Sequence, residues 1–308
     1  MLFTKKDALK RLFLCPWMDG ISQGARTAAR ICPWMGARPH KTWAQRARTA
    51  MWLCLCCFTS LPAISDTVCP GVNYDETARI KYIHDGDTLH LKDGRKVRLI
   101  GINSPEVAHG NNTAEPFAAE ATNALKALFK DKKSISLIYG EEKHDRYQRL
   151  LAHGFTDSGE NIQAKLLAQG HARAITFPPN THFSACYLQQ ERKARCEKAG
   201  LWKKTRPLTA KKLDDTHIGF QLVKGRLKNI SINKKGIWLN LDDKLTIGIR
   251  PDNQSLFDIN AIYQMLNQKI VVRGWLNKSK KASQTTGPYY IRVRHPSSIQ
   301  LVSTFSCN

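Results

Sequence analysis

Apolar and polar residues alternate with a period of two along residues 78–102. Asp-Gly pairs at 85–86 and 93–94 interrupt the alternation and predict turns. This pattern is typical of a curled antiparallel sheet, because successive side chains of a strand point to opposite faces. Apolar runs at 134–139 and 150–155 predict two more strands, which gives five in this part of the chain.

Three helices are predicted between and after these strands. Pro116 precedes the segment 117–129, whose apolar residues recur at helical spacing. A short helix is expected over 161–169, where Gly170 ends it, and a long polar helix over 181–200. Five strands with intervening helices predict a mainly β fold with α-helices (α+β), built as a small closed barrel of the OB type.

A second β-rich unit follows a charged segment at 206–215 that contains a proline and is predicted to be a linker. Strand patterns recur at 220–226, 236–241, 245–250, 269–276 and 290–294, and a short helix is expected at 259–266. We therefore predict a first domain at 66–205 and an OB-like domain at 216–308.

Aromatic residues of this second unit alternate with lysines and arginines, an arrangement that can stack bases. They are Phe220, Trp238, Trp275, Tyr289 and Tyr290. For Trp238 and Trp275 we favour ordinary packing in the core. Three roles for this unit stay open: a grip on nucleic acid, a structural cap and a protein-docking module.

Charge points to a polyanionic partner. The chain has 48 Lys and Arg against 25 Asp and Glu, a formal net charge of +23. Such a surface attracts nucleic acid through counterion release and long-range steering. A hydrophobic fraction of 42% also excludes a fully disordered chain.

The N-terminal segment 1–65 predicts a leader. Basic residues at 38–48 precede an apolar run at 51–58, and small residues around Ser65 fit a signal-peptide cleavage site. A periplasmic or secreted protein is expected, without stable membrane insertion after cleavage. The sequence Cys-Pro-Trp-Met occurs twice, at 15–18 and 32–35, without a helical or strand period. We hypothesise that translation begins at Met35, so that residues 1–34 are an over-extended start.

Four cysteines remain after the leader: Cys69, Cys186, Cys196 and Cys307. An even number in an exported chain predicts disulfides. Cys186 and Cys196 lie on one predicted helix, about 15 Å apart along its axis, which is too far to bridge. We prefer Cys69–Cys186 and Cys196–Cys307. A zinc site is the alternative, disfavoured because these four cysteines show no Cys-x-x-Cys spacing and the sequence has no His-x-x-His spacing.

Three sequence motifs contain the candidate catalytic and metal-binding residues. They read DGDTL at 85–89, VRLIGINSPE at 97–106 and DRYQRLLA at 145–152. Together they supply arginines for phosphate oxygens, carboxylates for a water molecule, and oxygen donors for a metal ion. In this order and spacing they resemble the thermonuclease, or staphylococcal-nuclease-like, family over about 78–204.

The resemblance implies a catalytic set of Arg98, Glu106 and Arg149. The two arginines would grip the scissile phosphate, since a guanidinium contacts two oxygens and keeps its charge. Glu106 would position or deprotonate the attacking water, and Pro105 would fix its loop.

The resemblance also implies a Ca²⁺ site at Asp87, Asn103 and Ser104. Hard cations prefer such oxygen ligands. Asn103 stands where the best-known members have a second Asp, so one negative ligand is replaced by a neutral amide and weaker affinity is expected. Ser104 would contribute its backbone carbonyl. Asp85 is assigned to the turn.

Further contacts to substrate are implied for Arg146 and Tyr147, which correspond to residues that bind a terminal phosphate in the family. Gln148 replaces a common glycine, which predicts a change in the loop before Arg149. Phe177 could offer a stacking surface, although it is not assigned to the site.

These features predict an exported endonuclease that hydrolyses phosphodiester bonds of DNA and RNA. The resemblance implies cleavage at the 5′ P–O bond, which leaves 3′-phosphates. The alternative is a nucleic-acid-binding protein that keeps the barrel without hydrolysis. No protein partner follows from the sequence.

Overall fold

A computed structural model of the protein describes residues 68–110, 113–131, 133–279 and 287–307. The predicted leader at 1–65, with the signal peptide and the hypothesis of an over-extended start, lies outside the described residues. In the described ranges, no helix combines the length and the apolar character needed to cross a membrane.

The first barrel is built from the five strands that the alternation predicts. Its elements, with two short strands and three helices, are β1 (Glu76–Ile83), β2 (Thr88–Leu91), β3 (Lys96–Leu99), β4 (Ile102–Asn103), α1 (Ala118–Ala127), β5 (Ser134–His144), β6 (Leu150–Phe155), α2 (Ile162–Ala168), β7 (Arg173–Ala174) and α3 (Ser184–Cys196). The barrel closes in the order β1-β2-β3-β6-β5, with β3 and β6 parallel. The predicted OB-type fold is confirmed.

Alternation fills the interior of this barrel with aliphatic side chains. Leu89, Leu91 and Val97 are fully buried. Tyr82 occupies an apolar position of the same alternation but is 46% exposed and stacks on His90, with ring centroids 4.2 Å apart. A register shift in the β1–β2 pairing just before Tyr82 breaks the alternation there and places its ring outside.

A second barrel follows. Its elements are β8 (Leu208–Thr209), β9 (Gly219–Asn233), β10 (Gly236–Leu241), β11 (Leu245–Ile249), α4 (Ile259–Gln264), β12 (Lys269–Lys278), β13 (Tyr289–Val293), β14 (Ile299–Leu301) and α5 (Val302–Phe305). Pairing of β12 with β9 closes β9-β10-β11-β13-β12, and β11 and β13 are parallel. This order repeats that of the first barrel.

The predicted linker at 206–215 contributes to the second barrel. Strand β8 pairs in parallel with β9, while Ala210 and Leu213 are buried in the second core. The prediction that Trp275 belongs to a core is wrong, since 40% of the residue is exposed. Trp238 is half-buried, and its ring lies 6.3 Å from that of Tyr290.

The two barrels share buried contacts. A separate apolar cluster contains Ala194, Leu201 and Trp202 from the first half with Leu222, Val271 and Phe305 from the second. The structure bonds Cys69 to Cys186 and Cys196 to Cys307, the pairing preferred from the sequence. The Cys196–Cys307 disulfide ties the end of α3 to the segment after α5.

A buried ion cluster accompanies this apolar contact. Glu191 of α3 is completely buried, and its Oε2 accepts hydrogen bonds from the N–H of Ala174 (2.9 Å) and from Arg273 Nη1 of β12. Its Oε1 pairs with Arg195 Nη1 at 3.1 Å. Arg195 also donates to the carbonyl of Phe305 at 3.1 Å. One carboxylate thus joins residues from both halves of the described chain.

Candidate active site

Asp87 immediately precedes β2, in a turn that Asp85 holds in place. Oδ1 of Asp85 accepts a hydrogen bond from the N–H of Asp87 (2.9 Å), the turn role predicted for it. Both carboxylates are more than nine-tenths buried. Burial first, and then the charge of Asp87, raises the pKa of Asp85. The turn therefore concentrates negative charge in a poorly solvated place.

Arg98 of β3 lies against this turn. Thr88 and Arg98 are opposite each other in the β2–β3 pairing, so Arg98 reaches Asp87. Its Nη1 is 3.0 Å from Asp87 Oδ1 and also donates to the carbonyl of Leu99 (2.7 Å), while Nη2 donates to the carbonyl of Ile102 (3.0 Å). Within the described residues, Arg98 Nε has no acceptor. The guanidinium is fixed on one side and retains a donor on the other.

Of the two remaining predicted metal residues, Ser104 contacts Asp87 and Asn103 precedes Ser104 in the chain. Asn103 is in β4 and 6% exposed, and Ser104 is 2% exposed. The N–H of Ser104 donates to Asp87 Oδ2 at 2.9 Å. Gly86 permits this approach, because a Cβ there would lie 2.7 Å from the Cβ of Ser104 and 2.8 Å from that of Ala121 on α1.

Glu106 follows in the loop after β4. Its carbonyl accepts from the N–H of Glu115 at 2.8 Å, which closes the loop. Its side chain reaches solvent, yet partial burial, followed by the charges of Asp87 and Asp85, raises the pKa of Glu106. Asp87, Arg98 and Glu106 thus act on one another electrostatically.

Arg149 immediately precedes β6, the parallel neighbour of β3. Arg98 is opposite Leu151, two residues beyond Arg149, which puts the two arginine Cα atoms about 8 Å apart. The Nε and Nη2 atoms of Arg149 both lie 2.7 Å from Asp145 Oδ2. An anionic ligand would reach Nη1 of Arg149 or displace Asp145.

The turn before Arg149 brings Arg146 and Tyr147 together. Arg146 Nη2 donates to the Tyr147 hydroxyl (2.6 Å), and the guanidiniums of Arg146 and Arg149 lie 4.7 and 5.5 Å from the Tyr147 ring centre. Tyr147 is 62% exposed. Gln148 adopts φ 61°, a left-handed conformation that glycine tolerates better. The substitution keeps the turn but strains it.

Sequence reasoning missed Arg173. In the β4–β7 pairing it is opposite Asn103, and its Nε is buried without a hydrogen-bond partner. Burial lowers the pKa of Arg173, although Glu115 and Glu191 oppose this. An arginine in the apolar segment 172–176 was the available signal, but the pairing with Asn103 required the tertiary structure.

The donor atoms of the site suit a hard cation. In the described residues no group of three or more His, Cys, Asp or Glu side chains forms a metal centre by itself. Asp87 and Asn103 nevertheless supply oxygen atoms only, as Ca²⁺ prefers. Burial, followed by the charges of neighbouring carboxylates, raises the pKa of Asp85 and of Glu106. A single divalent cation with some ligands from water fits this donor set.

Comparison with known proteins agrees with the geometry. A family model described as staphylococcal nuclease homologue matches residues 96–204. The thermonuclease of Staphylococcus intermedius is 32% identical over 132 residues, which cover 42% of this chain and 77% of the relative. The chain belongs to the staphylococcal-nuclease-like family.

Other relatives are similar over the same part. The thermonuclease of Staphylococcus hyicus is 30% identical over 131 residues, covering 42% of this chain and 76% of the relative. Endonuclease YncB of Bacillus subtilis is 31% identical over 125 residues, covering 39% and 59%. The family match begins at residue 96 and includes Arg98, Glu106 and Arg149. Asp87 precedes it, so its place in the staphylococcal-nuclease-like site depends on its contacts with Arg98 and Ser104.

Proposed function

We propose that this protein is an exported endonuclease that hydrolyses phosphodiester bonds of DNA and RNA with little sequence specificity and depends on calcium. One observation carries the proposal. Arg98 is anchored to buried Asp87, and partial burial, followed by the charges of Asp87 and Asp85, raises the pKa of the neighbouring Glu106. A cation for phosphate, a carboxylate for water and oxygen donors for a metal ion therefore occupy one site.

The arginines would bind the scissile phosphate. Arg98 is held by Asp87 and by the carbonyls of Leu99 and Ile102, so its remaining donors are preorganised. Arg149 approaches from the neighbouring strand. As water attacks, negative charge grows on the phosphorane oxygens, and fixed guanidiniums stabilise it without reorganisation.

Glu106 would position or deprotonate the attacking water. Burial and the charges of Asp87 and Asp85 raise its pKa, which makes the carboxylate a stronger base than a solvated glutamate. Asp87, Asn103 and Ser104 would hold calcium, which when bound supplies positive charge to a phosphate oxygen.

Low sequence specificity is expected because these groups contact the sugar-phosphate backbone of the nucleic acid. Arginine contacts to phosphate position a nucleic acid without reading its bases. The net charge of +23 adds affinity that is independent of sequence. Cleavage at the 5′ P–O bond, leaving 3′-phosphates, belongs to this proposal and is tested by analysis of the product ends.

Export is proposed from the leader pattern and the cysteine bonds. Cys69–Cys186 and Cys196–Cys307 require an oxidising compartment to form and persist. We expect the native protein to begin near Asp66 and to contain no free thiol after the leader is removed. N-terminal sequencing and thiol labelling of the native protein test both points.

The decisive experiment compares the wild type with Glu106→Gln on single-stranded DNA and on RNA, with calcium and with a chelator. Loss of the carboxylate should slow cleavage about 10²- to 10⁴-fold, the usual contribution of an acid–base residue. In the presence of the chelator, Glu106→Gln should still bind the nucleic acid with the affinity of the wild type. Glu120→Gln is the matched control, since Glu120 is exposed on α1.

A non-catalytic nucleic-acid-binding protein predicts a different result. The wild type and Glu106→Gln would then show the same background cleavage while both bind DNA. That outcome would overturn the enzyme proposal and support the binding protein.

A further inference from the structure

A cleft between the two barrels contains basic and aromatic side chains that the active site does not use. Phe177 comes from the segment after β7, and Trp275 from β12. Their rings are stacked 5.8 Å apart, and 38% and 40% of the two residues are exposed. Phe220 of β9, opposite Trp275 in the strand pairing, meets the Trp275 ring edge-on at 4.9 Å. Aromatic surface in this cleft is therefore accessible to a planar ligand.

Three arginines line the same cleft. Arg294 lies 5.0 Å from the Phe177 ring centre and has no ion pair among the described residues. Arg292 pairs with Asp252 at 2.7 Å, and its Nε is buried without a partner. Arg273 is 5% exposed and binds Glu191 through Nη1, while its Nη2 has no hydrogen-bond partner.

These donors indicate an anionic ligand. A buried guanidinium atom without a partner is costly, and an anion that approaches it removes the cost. Burial, and then the charge of Arg292, lowers the pKa of Arg294, so an anion would stabilise its charged form. The carboxylates nearest to the cleft are Asp252 and Glu191, and each already has an arginine partner.

Arg173 links the strand that pairs with Asn103 to a side chain of this cleft. This residue is opposite Asn103 in the β4–β7 pairing, and its guanidinium lies 5.9 Å from the Phe220 ring centre. Phe220 contacts Trp275, and Trp275 stacks on Phe177. A path of alternating basic and aromatic groups therefore leads from the strand of Asn103 to the second barrel.

We propose that this cleft binds single-stranded nucleic acid beyond the cleavage site, with Trp275 stacking on a base and Arg294 contacting a phosphate. The inference rests on the proposed nuclease function and adds a substrate-binding role for the second barrel. Single strands are specified because a base can stack on a side chain only when it has left its own stack. The occupant of the cleft is then the part of a long strand that the active site does not hold.

Strand length provides the test. Fluorescence anisotropy with labelled oligothymidylates of about 4 and about 15 nucleotides, a span comparable to one OB-type site, is measured with a chelator present so that no strand is cut. Trp275→Ala should weaken binding of the longer strand about tenfold, the usual effect of removing one stacking ring, and change binding of the shorter strand little. Trp275→Phe should restore most of the loss.

The charge contribution is measured separately. Arg294→Gln should weaken binding of the longer strand and reduce the slope of log affinity against log salt by about 0.7, as expected for one lost phosphate contact on a single strand. Tyr263→Ala and Lys211→Gln are matched controls, because both residues are exposed outside the cleft. Thermal unfolding establishes that each variant is folded.

Each outcome has one meaning. If Trp275→Ala and Arg294→Gln bind the longer strand like the controls while the wild type cleaves DNA, the inference is wrong and the proposed function stands. If the wild type neither cleaves nor binds either strand, the proposed function is wrong. Equal weakening on single-stranded and duplex DNA would overturn the stacking role of Trp275.

Discussion

Arg98 Nη1 lies 3.0 Å from Asp87 Oδ1, so the proposed phosphate ligand and the proposed metal ligand share a hydrogen bond. Asp87 is 4% exposed, and the Arg98 side chain is 13% exposed. A charge-assisted bond in such a place is strong and directional. The position of the arginine and the charge available to a cation therefore depend on each other.

Arg98→Lys should lower kcat on single-stranded DNA about 10²- to 10³-fold, the usual effect of losing a preorganised donor at the reacting group. A lysine ammonium cannot reproduce the planar contacts to Asp87, Leu99 and Ile102. Steady-state cleavage assays measure the change, with Arg79→Lys on the exposed face of β1 as the control. Equal activity of Arg98→Lys and the control would remove Arg98 from the proposed catalytic set.

Asn103→Asp should tighten calcium binding, because it adds a negative oxygen ligand beside Asp87. Isothermal titration calorimetry of the protein with calcium alone measures the dissociation constant. Asn277→Asp, at an exposed position of β12, adds the same charge elsewhere. Unchanged or weaker binding in Asn103→Asp would show that the metal is placed incorrectly.

Gln148→Gly should increase the free energy of unfolding by about 0.5 to 1 kcal/mol. The left-handed conformation at φ 61° costs a residue with a side chain about 1–2 kcal/mol, and the greater freedom of glycine in the unfolded chain offsets part of the gain. Urea unfolding with intact disulfides measures the difference. Gln148→Ala is the control, since it shortens the side chain and keeps the strain. A less stable Gln148→Gly protein would refute the explanation.

Glu191→Gln should lower the free energy of unfolding by about 3 kcal/mol, because it leaves Arg273 and Arg195 buried without their carboxylate. Glu197→Gln, just after α3 and exposed, should change it little. In the double variant Glu191→Gln/Arg273→Met, the loss should be smaller than the sum of the single losses. Additive losses would mean that the pair does not couple the barrels.

The buried, neutral His153 should make the free energy of unfolding decrease in acid. Its ring is 3% exposed, and its Nδ1 lies 2.9 Å from the Tyr187 hydroxyl, which donates to Asn161 Oδ1 at 3.2 Å. Nδ1 therefore carries the proton of a neutral ring. Burial, followed by the charge of His182, lowers the pKa of His153 from 6.5 to about 3.

Between these pH values the unfolded chain binds a proton that the folded protein does not, so stability falls as pH decreases from 6.5 towards 3. The slope from His153 is about 1.4 kcal/mol per pH unit, and its contribution is complete above 6.5. Urea unfolding at several pH values should give a shallower slope for His153→Gln, whereas exposed His109→Gln should match the wild type. Equal slopes for all three proteins would show that His153 is not the group responsible.

Particular residues show how far sequence patterns reach. Leu89, Leu91 and Val97 follow the alternation into the core because local spacing decides which face they share. Tyr82 follows the same alternation but lies outside, since a register shift between β1 and β2 is a property of their pairing. Trp275 is a large aromatic residue of a type that is usually buried, yet the cleft between the barrels leaves part of it exposed.

The sequence by itself determined the first barrel, the OB-like second unit and the residues that contain the proposed chemistry. These depend on periodicity, turns and motifs, which are local in the chain. Only the tertiary structure decided that Asp87 contacts Arg98 and Ser104, that Arg149 is paired with Asp145, and that Glu191 joins both barrels. Contacts between distant segments depend on strand register and on the packing of the two barrels, which no local pattern encodes.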